Sequence, residues 1–250
     1  MWPFSTKRAS SPSKVDGLVY AIGDIHGRAD LLDLLLAKIA EDAREHPGRE
    51  PVLVMLGDYV DRGSDSAGVI ERLVRLERAR DMRLVALKGN HDDLMLRFLK
   101  GEQVGPTWAA YGGGAALRSY GVATPRHDDA EGWSAAVAEL TAAMPPAHRR
   151  LLDALQLWTV LGDYLFVHAG VRPDVPLASQ TEEDLLWIRG PFLRASKPCD
   201  RVVVHGHTPV KQVHLGRHRI AVDTGAFATG LLSCVRLEGE TRTVIQVDGG

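Results

Sequence analysis

The stretch Leu18-Val19-Tyr20-Ala21-Ile22-Gly23-Asp24-Ile25-His26-Gly27 runs apolar without alternation, then breaks at a glycine followed by an aspartate and a histidine. An unbroken apolar run of this length reads as a strand covered on both faces, since a solvated face would require every second residue to be polar. From Leu31 to Ile39 the apolar residues return at helical spacing, so the unit is strand, loop, helix. It recurs. Val52-Leu53-Val54-Met55-Leu56 ends in Gly57-Asp58 and leads into a helical segment from Ser66 to about Arg80, and Leu84-Val85-Ala86-Leu87 ends in Gly89-Asn90-His91. Three such units predict an α/β fold with a largely parallel sheet.

Residues 101–150 break the rhythm with Tyr111-Gly112-Gly113-Gly114, scattered alanines and Pro145-Pro146. They are expected to form a helical insertion, with Tyr111–Gly114 a flexible wall of a cleft and its aromatic residues packing a small core of their own. Beyond it, Tyr164–Val167, Val202–Val204, Ile220–Val222 and Leu231–Val235 read as strands of a second sheet. Residues 1–16, polar and rich in Ser, Pro and Lys, are expected to be a flexible leader to one domain over 17–250.

Lys and Arg number 30 against 32 Asp and Glu, which leaves no general basic field to hold a nucleic acid duplex. With 45% hydrophobic and 25% charged residues and no membrane-length apolar run, the composition is that of a soluble protein without a membrane partner, expected in the cytoplasm. Two cysteines, Cys199 and Cys234, are too few for a disulfide framework and lack the spacing of a thiolate zinc site.

Each of the first three strands ends in a residue able to bind a metal, and ligands of open α/β sheets gather beyond the carboxyl ends of strands. Asp24 and His26 flank one residue of a tight loop. Asp58 has two oxygens and could bridge two cations. Asn90 offers a carbonyl oxygen, and His168 and His207 bring imidazole nitrogen from later strand ends. This mixture of imidazole and carboxylate suits two divalent ions, manganese first, with iron or zinc as alternatives, over calcium or a thiolate-selected metal. His205, two residues before His207, is expected to be buried or to support the ligands. His46, His127, His148, His214 and His218 lie in polar surroundings and are expected at the surface.

Gly23-Asp24-Ile25-His26-Gly27, Gly57-Asp58-Tyr59-Val60-Asp61-Arg62-Gly63, Gly89-Asn90-His91, Val167-His168-Ala169-Gly170 and Gly206-His207-Thr208 resemble, in order, the motifs of the phosphoprotein-phosphatase-type, calcineurin-like metallophosphoesterases. The likeness is nearest to the small bacterial serine/threonine phosphatases and the symmetrical diadenosine tetraphosphatases. It implies a two-sheet sandwich flanked by helices and a dinuclear centre. Asp24, His26 and Asp58 would hold one ion, and Asp58, Asn90, His168 and His207 the other. It implies further that His91 protonates the leaving oxygen, that Asp61 orients His91, and that Arg62 and Arg189 grip the substrate phosphoryl group. Asp92 departs from the glutamate usual after Asn-His.

A serine/threonine phosphoprotein phosphatase is the leading expectation, acting on a phosphoprotein or a phosphorylated small molecule. The alternatives are a symmetrical bis(5'-nucleosyl)-tetraphosphatase and a non-catalytic phosphopeptide-binding module. The insertion offers only Arg118 and Arg126 against Glu102, Asp128, Asp129 and Glu131 between Gly101 and Trp133, a balance that disfavours a long polyanion.

Overall fold

The three apolar runs that end in Asp24, Asp58 and Asn90 lie side by side as parallel strands. The structure, a computed structural model, describes residues 13–249. β1 (Val15–Ile22) leads to α1 (Ala29–Arg44), β2 (Pro51–Met55) to α2 (Ser66–Ala79) and β3 (Arg83–Ala86) to α3 (Asn90–Leu99). The segment expected to be a helical insertion holds α4 (Gly105–Ala110), α5 (Gly113–Ser119), α6 (Ala130–Ala143) and α7 (Pro146–Asp153). The chain continues through β4 (Trp158–Leu161), β5 (Tyr164–Val167), α8 (Glu182–Trp187), α9 (Gly190–Arg194), β6 (Val202–His205), β7 (His214–Leu215), β8 (Arg219–Ala221), α10 (Ala226–Thr229), β9 (Leu231–Gly239) and β10 (Thr241–Asp248). Of the leader expected over 1–16, residues 1–12 lie outside the described residues, and Val15 and Asp16 already belong to β1.

Two sheets form, ordered β10-β9-β1-β2-β3 and β4-β5-β6-β8-β7. In the first, Leu53 lies between Tyr20 and Leu84 in parallel register. Leu231–Val235, expected in the second sheet, belongs to the first: β9 runs antiparallel to β1, with Ile22 opposite Cys234 and Leu18 opposite Glu238. It covers the edge of β1 that would otherwise present unpaired backbone groups.

The central strands β1, β2, β5 and β6 are continuously apolar because both of their faces are covered. On β1, Leu18, Tyr20 and Ile22 pack against the helices, whereas Val19 and Ala21 enter the layer between the sheets. On β5, Tyr164 and Phe166 fill that middle layer, and Leu165 and Val167 pack with Leu185 of α8 and Phe192 of α9. The result is a two-sheet sandwich flanked by helices. Each such side chain contributes about 1.5–3 kcal/mol by burial.

The helices at 105–153 have no separate core. Trp108, Leu117, Leu140 and Leu152 join the cluster built on α1, α2 and α3, and Phe98 of α3 packs on Trp108 with ring centroids 5.0 Å apart. His148, expected at the surface, is buried there, hydrogen-bonded to Tyr120 at 2.9 Å and to Glu71 at 3.1 Å. Among the described residues, no helix is long and apolar enough to cross a membrane.

Candidate metal centre

β1, β2 and β3 of one sheet and β5, β6 and β8 of the other finish at a common edge of the sandwich. The residues that follow them converge there. His168 meets the Leu56 carbonyl at the end of β2, and the His207 backbone N–H donates to Asp24 at 3.1 Å. The turns are tight enough to put His26, Asp58, Asp61, Arg62 and His207 at positive φ, where a side chain is strained and which persists only when the surroundings fix it. Gly89 is required for this convergence, because a Cβ there would come 2.1 Å from Asp58 Oδ1.

Three of the histidines present a lone pair inward. His26 Nδ1 donates to the Val60 carbonyl at 2.8 Å and His168 Nδ1 to the Leu56 carbonyl at 2.8 Å. His207 has a backbone hydrogen bond to Trp187, and its buried Nε2 has no partner. Burial pushes His26 down to about 3 and His207 to about 2, and also lowers His168, so all three are neutral near pH 7. With Nδ1 carrying the proton, each Nε2 is an acceptor. Yet His26 Nε2 and His168 Nε2 face Asp58 Oδ2 at 3.4 and 3.5 Å, and His168 Nε2 lies 3.0 Å from Asn90 Oδ1. His26 Nε2 also has the Arg62 guanidinium at 3.0 Å, but the acceptors that face one another around His168 Nε2 are reconciled by a cation.

Two groups have ligand atoms within 4.8 Å of one another: His26, Asp58 and His91, and Asp58, His168 and His207. Asp58 is common to both. Burial alone would raise its pKa, but the imidazoles of His168, His91 and His26, protonated at the acidic pH where Asp58 would titrate, hold it well below the usual carboxylate range. Asp24 stands beside these groups with both oxygens 3.1 Å from the His207 N–H, and burial, Asp223 and Asp58 push its pKa far up. Such crowding of buried carboxylates is costly without a compensating positive charge. The residues therefore fit a pair of divalent ions.

Beside the shared carboxylate, His91 Nδ1 and Asp61 Oδ2 are 2.6 Å apart. Burial works against the charged imidazole, but Asp58 and Asp61 together raise its pKa. Asp61 is itself held by Trp108, whose indole N–H donates to Oδ2 at 2.8 Å. The Arg62 guanidinium spans the mouth, reaching His26 Nε2 at 3.0 Å and His91 Nε2 at 2.9 Å, with Phe227 beneath it at 4.7 Å. Arg189 is exposed at the rim, donates to Thr208 Oγ1 at 3.2 Å, and its charge reaches His168 and His207. All ten residues picked from the sequence thus lie in one neighbourhood. His205 is fully buried behind it against Phe192.

Asp223 was not anticipated. It follows β8, is buried, and accepts from the Gly225 N–H at 2.7 Å. Its burial and the Asp58 charge lift its pKa to about 6. The signal was present: Ile220-Ala221-Val222 is an apolar strand run ending in an acid, as before Asp24 and Asp58. Trp108 left no such trace, because its partner Asp61 is distant in sequence.

Asp92, the residue that departs from the usual glutamate, accepts from the backbone N–H groups of Asp58 at 2.8 Å, Gly89 at 2.9 Å and Tyr59 at 3.0 Å. Those three donors favour its charged form, against burial and the Asp58 charge, which push it up to about 8. The shorter arm therefore still fixes the β2 and β3 loops to one another. Asp92→Ala is expected to strand three buried donors and lower stability by about 3 kcal/mol or more, measured by denaturant unfolding of the metal-free protein. A loss below 1 kcal/mol would show that the loops hold their shape without it.

A family model described as calcineurin-like phosphoesterase matches residues 17–229. A protein of Anoxybacillus flavithermus named bis(5'-nucleosyl)-tetraphosphatase PrpE (asymmetrical) is 28% identical over 245 residues, covering 89% of this chain and 92% of its own length. Its namesake in Bacillus velezensis is 27% identical, covering 89% and 90%. Among solved structures, a candidate diadenosine tetraphosphatase superposes with a TM-score of 0.60 at 21% identity, covering 96% of this chain and 100% of the other. At that identity the likeness shows the fold alone.

Proposed function

Because the chain belongs to the calcineurin-like phosphoesterase family, it is a metal-dependent phosphoesterase, and we propose that its substrate is a dinucleoside polyphosphate. For the hydrolytic reading, the observation that carries most weight is a single buried carboxylate, Asp58, shared by two clusters of inward-facing histidine nitrogens with the His91–Asp61 pair alongside. Asp24, His26 and Asp58 would hold one ion, and Asp58, Asn90, His168 and His207 the other. Manganese suits this set of nitrogen and oxygen donors, as do iron and zinc. When bound, two such ions supply an activated water and a positive clamp for phosphoryl oxygens.

The remaining groups have separate tasks. Arg62 presents two N–H groups in one plane, a fork that matches two phosphoryl oxygens, and Arg189 adds charge on the side of His168 and His207. His91, charged and oriented by Asp61, delivers a proton to the departing oxygen. Trp108 keeps Asp61 turned towards His91.

For the substrate, support comes from relatives named asymmetrical bis(5'-nucleosyl)-tetraphosphatases that match this chain along most of both lengths. The acidic insertion that favoured a phosphoprotein carries less weight once its charges are placed. Glu102 is paired with Arg97 at 2.7 Å, Asp128 with Arg126 at 3.5 Å, and Asp129 caps α6. None of these pairings involves a residue of the metal centre.

Diadenosine tetraphosphate incubated with Mn2+-loaded protein is expected to give ATP and AMP, and chelation of the metal to stop the reaction. Two equivalents of ADP would indicate symmetrical cleavage instead. A serine/threonine phosphoprotein phosphatase remains the second reading, favoured by an open groove beside the centre that carries Lys88, Asp93, Glu182 and Glu183 and could take an extended peptide of mixed charge. A kcat/KM for a phosphopeptide tenfold above that for diadenosine tetraphosphate would put that reading first. Turnover of neither, with metal bound, would leave the phosphopeptide-binding module.

A further inference from the structure

Resting on the reading that the centre acts on a phosphoester, we infer that Tyr111, backed by Trp187, is the platform on which a nucleobase of the substrate stacks beside the leaving group. Tyr111 is 47% exposed and Phe227 38%, unusual for large aromatic residues, and both touch histidine rings of the centre. They are not equivalent. Phe227 carries the Arg62 guanidinium over its ring at 4.7 Å, so that face is occupied. Tyr111 meets the edge of His91 at 6.3 Å and leans on Trp187 at 5.9 Å, and Trp187 in turn meets His207 at 6.1 Å. The two rings therefore form a continuous aromatic wall from the proton donor to a ligand of the second ion. A group attached to an oxygen beside His91 has this wall within reach.

The position of Tyr111 is built, not incidental. The residue closes α4, whose Trp108 is hydrogen-bonded to Asp61. The next residue, Gly112, has φ 111° and accepts the Arg62 N–H through its carbonyl at 3.2 Å. A Cβ on Gly112 would lie 2.8 Å from Arg62 Cγ. The stretch expected from sequence to be a flexible wall is thus the junction of two helices, fastened to the loop that carries Asp61 and Arg62. Among the described residues, the Tyr111 hydroxyl makes no hydrogen bond, so polar anchoring does not explain the residue.

The groove beyond Tyr111, about 780 Å³, does not select by excess charge. Lys88 is paired with Glu182 and lies 3.2 Å from Asp93, and Arg97 is paired with Glu102. What the wall offers is flat π surface. A nucleobase is flat, uncharged and aromatic, and stacks on such a surface whatever its sequence of hydrogen-bonding groups.

Two ligands with a common P–C–P chain differ by the nucleoside, and Tyr111→Ala then isolates the stacking part of that difference: adenosine 5'-(α,β-methylene)diphosphate and methylenediphosphonate, titrated calorimetrically into the Mn2+-loaded protein. The nucleotide is expected to bind about 5- to 150-fold more tightly. Tyr111→Ala should bring that ratio close to one, and Tyr111→Phe should keep it, since the ring and not the hydroxyl is used. Equal affinities in the unsubstituted protein, a ratio that survives Tyr111→Ala, or a parallel loss of both ligands would each overturn the assignment. Base-dependent binding that disappears in Tyr111→Ala upholds it even where diadenosine tetraphosphate is not turned over, an outcome that overturns only the substrate proposed above.

Discussion

Asp58→Asn is expected to lower phosphoesterase activity more than the replacement of any other proposed ligand, and to lower the content of both metals together. Asp58 is the one residue common to the two candidate ligand groups, and its Oδ2 faces His26 and His168 at 3.4 and 3.5 Å. Losing a group that merely supports a ligand costs about 10–100-fold in metal affinity, so loss of the shared carboxylate should exceed about 100-fold. Metal content by mass spectrometry tests this. Loss of one ion with full retention of the other would remove Asp58 as the bridge.

His91→Asn is expected to cut kcat by about 10²–10⁴-fold, the usual worth of a positioned general acid, without loss of metal. His91 also falls within one candidate ligand group, so its role rests on what its nitrogens do. Nδ1 is committed to Asp61 at 2.6 Å, and Nε2 faces Arg62, on the side where substrate would enter. The defect should shrink for nitrophenyl phosphate, whose leaving oxygen needs little protonation. Burial lowers the His91 pKa, but Asp58 and Asp61 outweigh it, so the proton is retained above the ordinary histidine range and lost as pH rises through the raised value. Activity should fall along that alkaline limb, and in His91→Asn the limb should vanish. A variant that has lost an ion would make His91 a ligand.

The parts of this centre were encoded in different ways. Asp24, Asp58 and Asn90 were legible because each lies a few residues beyond an apolar strand, and parallel strands finish at the same edge. His168 and His207 were legible for the same reason, one at the end of β5 and one just beyond β6. Asp223, just beyond β8, carried the same local mark and could have been read in the same way.

Local pattern determined the strands, the helices and the polar residues at their ends, because backbone preference and the period of burial are properties of neighbours in sequence. It could not determine which edge a strand would join: Leu231–Val235 looks the same whether it extends the second sheet or, as it does, covers β1. Nor could it say that Trp108 would turn inward to Asp61 while Tyr111, three residues on, stayed exposed beside His91. Those outcomes depend on how α4 packs against Phe98 and on the close approach of Gly112 to Arg62. Contacts between residues far apart in sequence exist only after the layers have packed, and at this centre they decide which aromatic ring is hydrogen-bonded to Asp61 and which is left exposed beside His91.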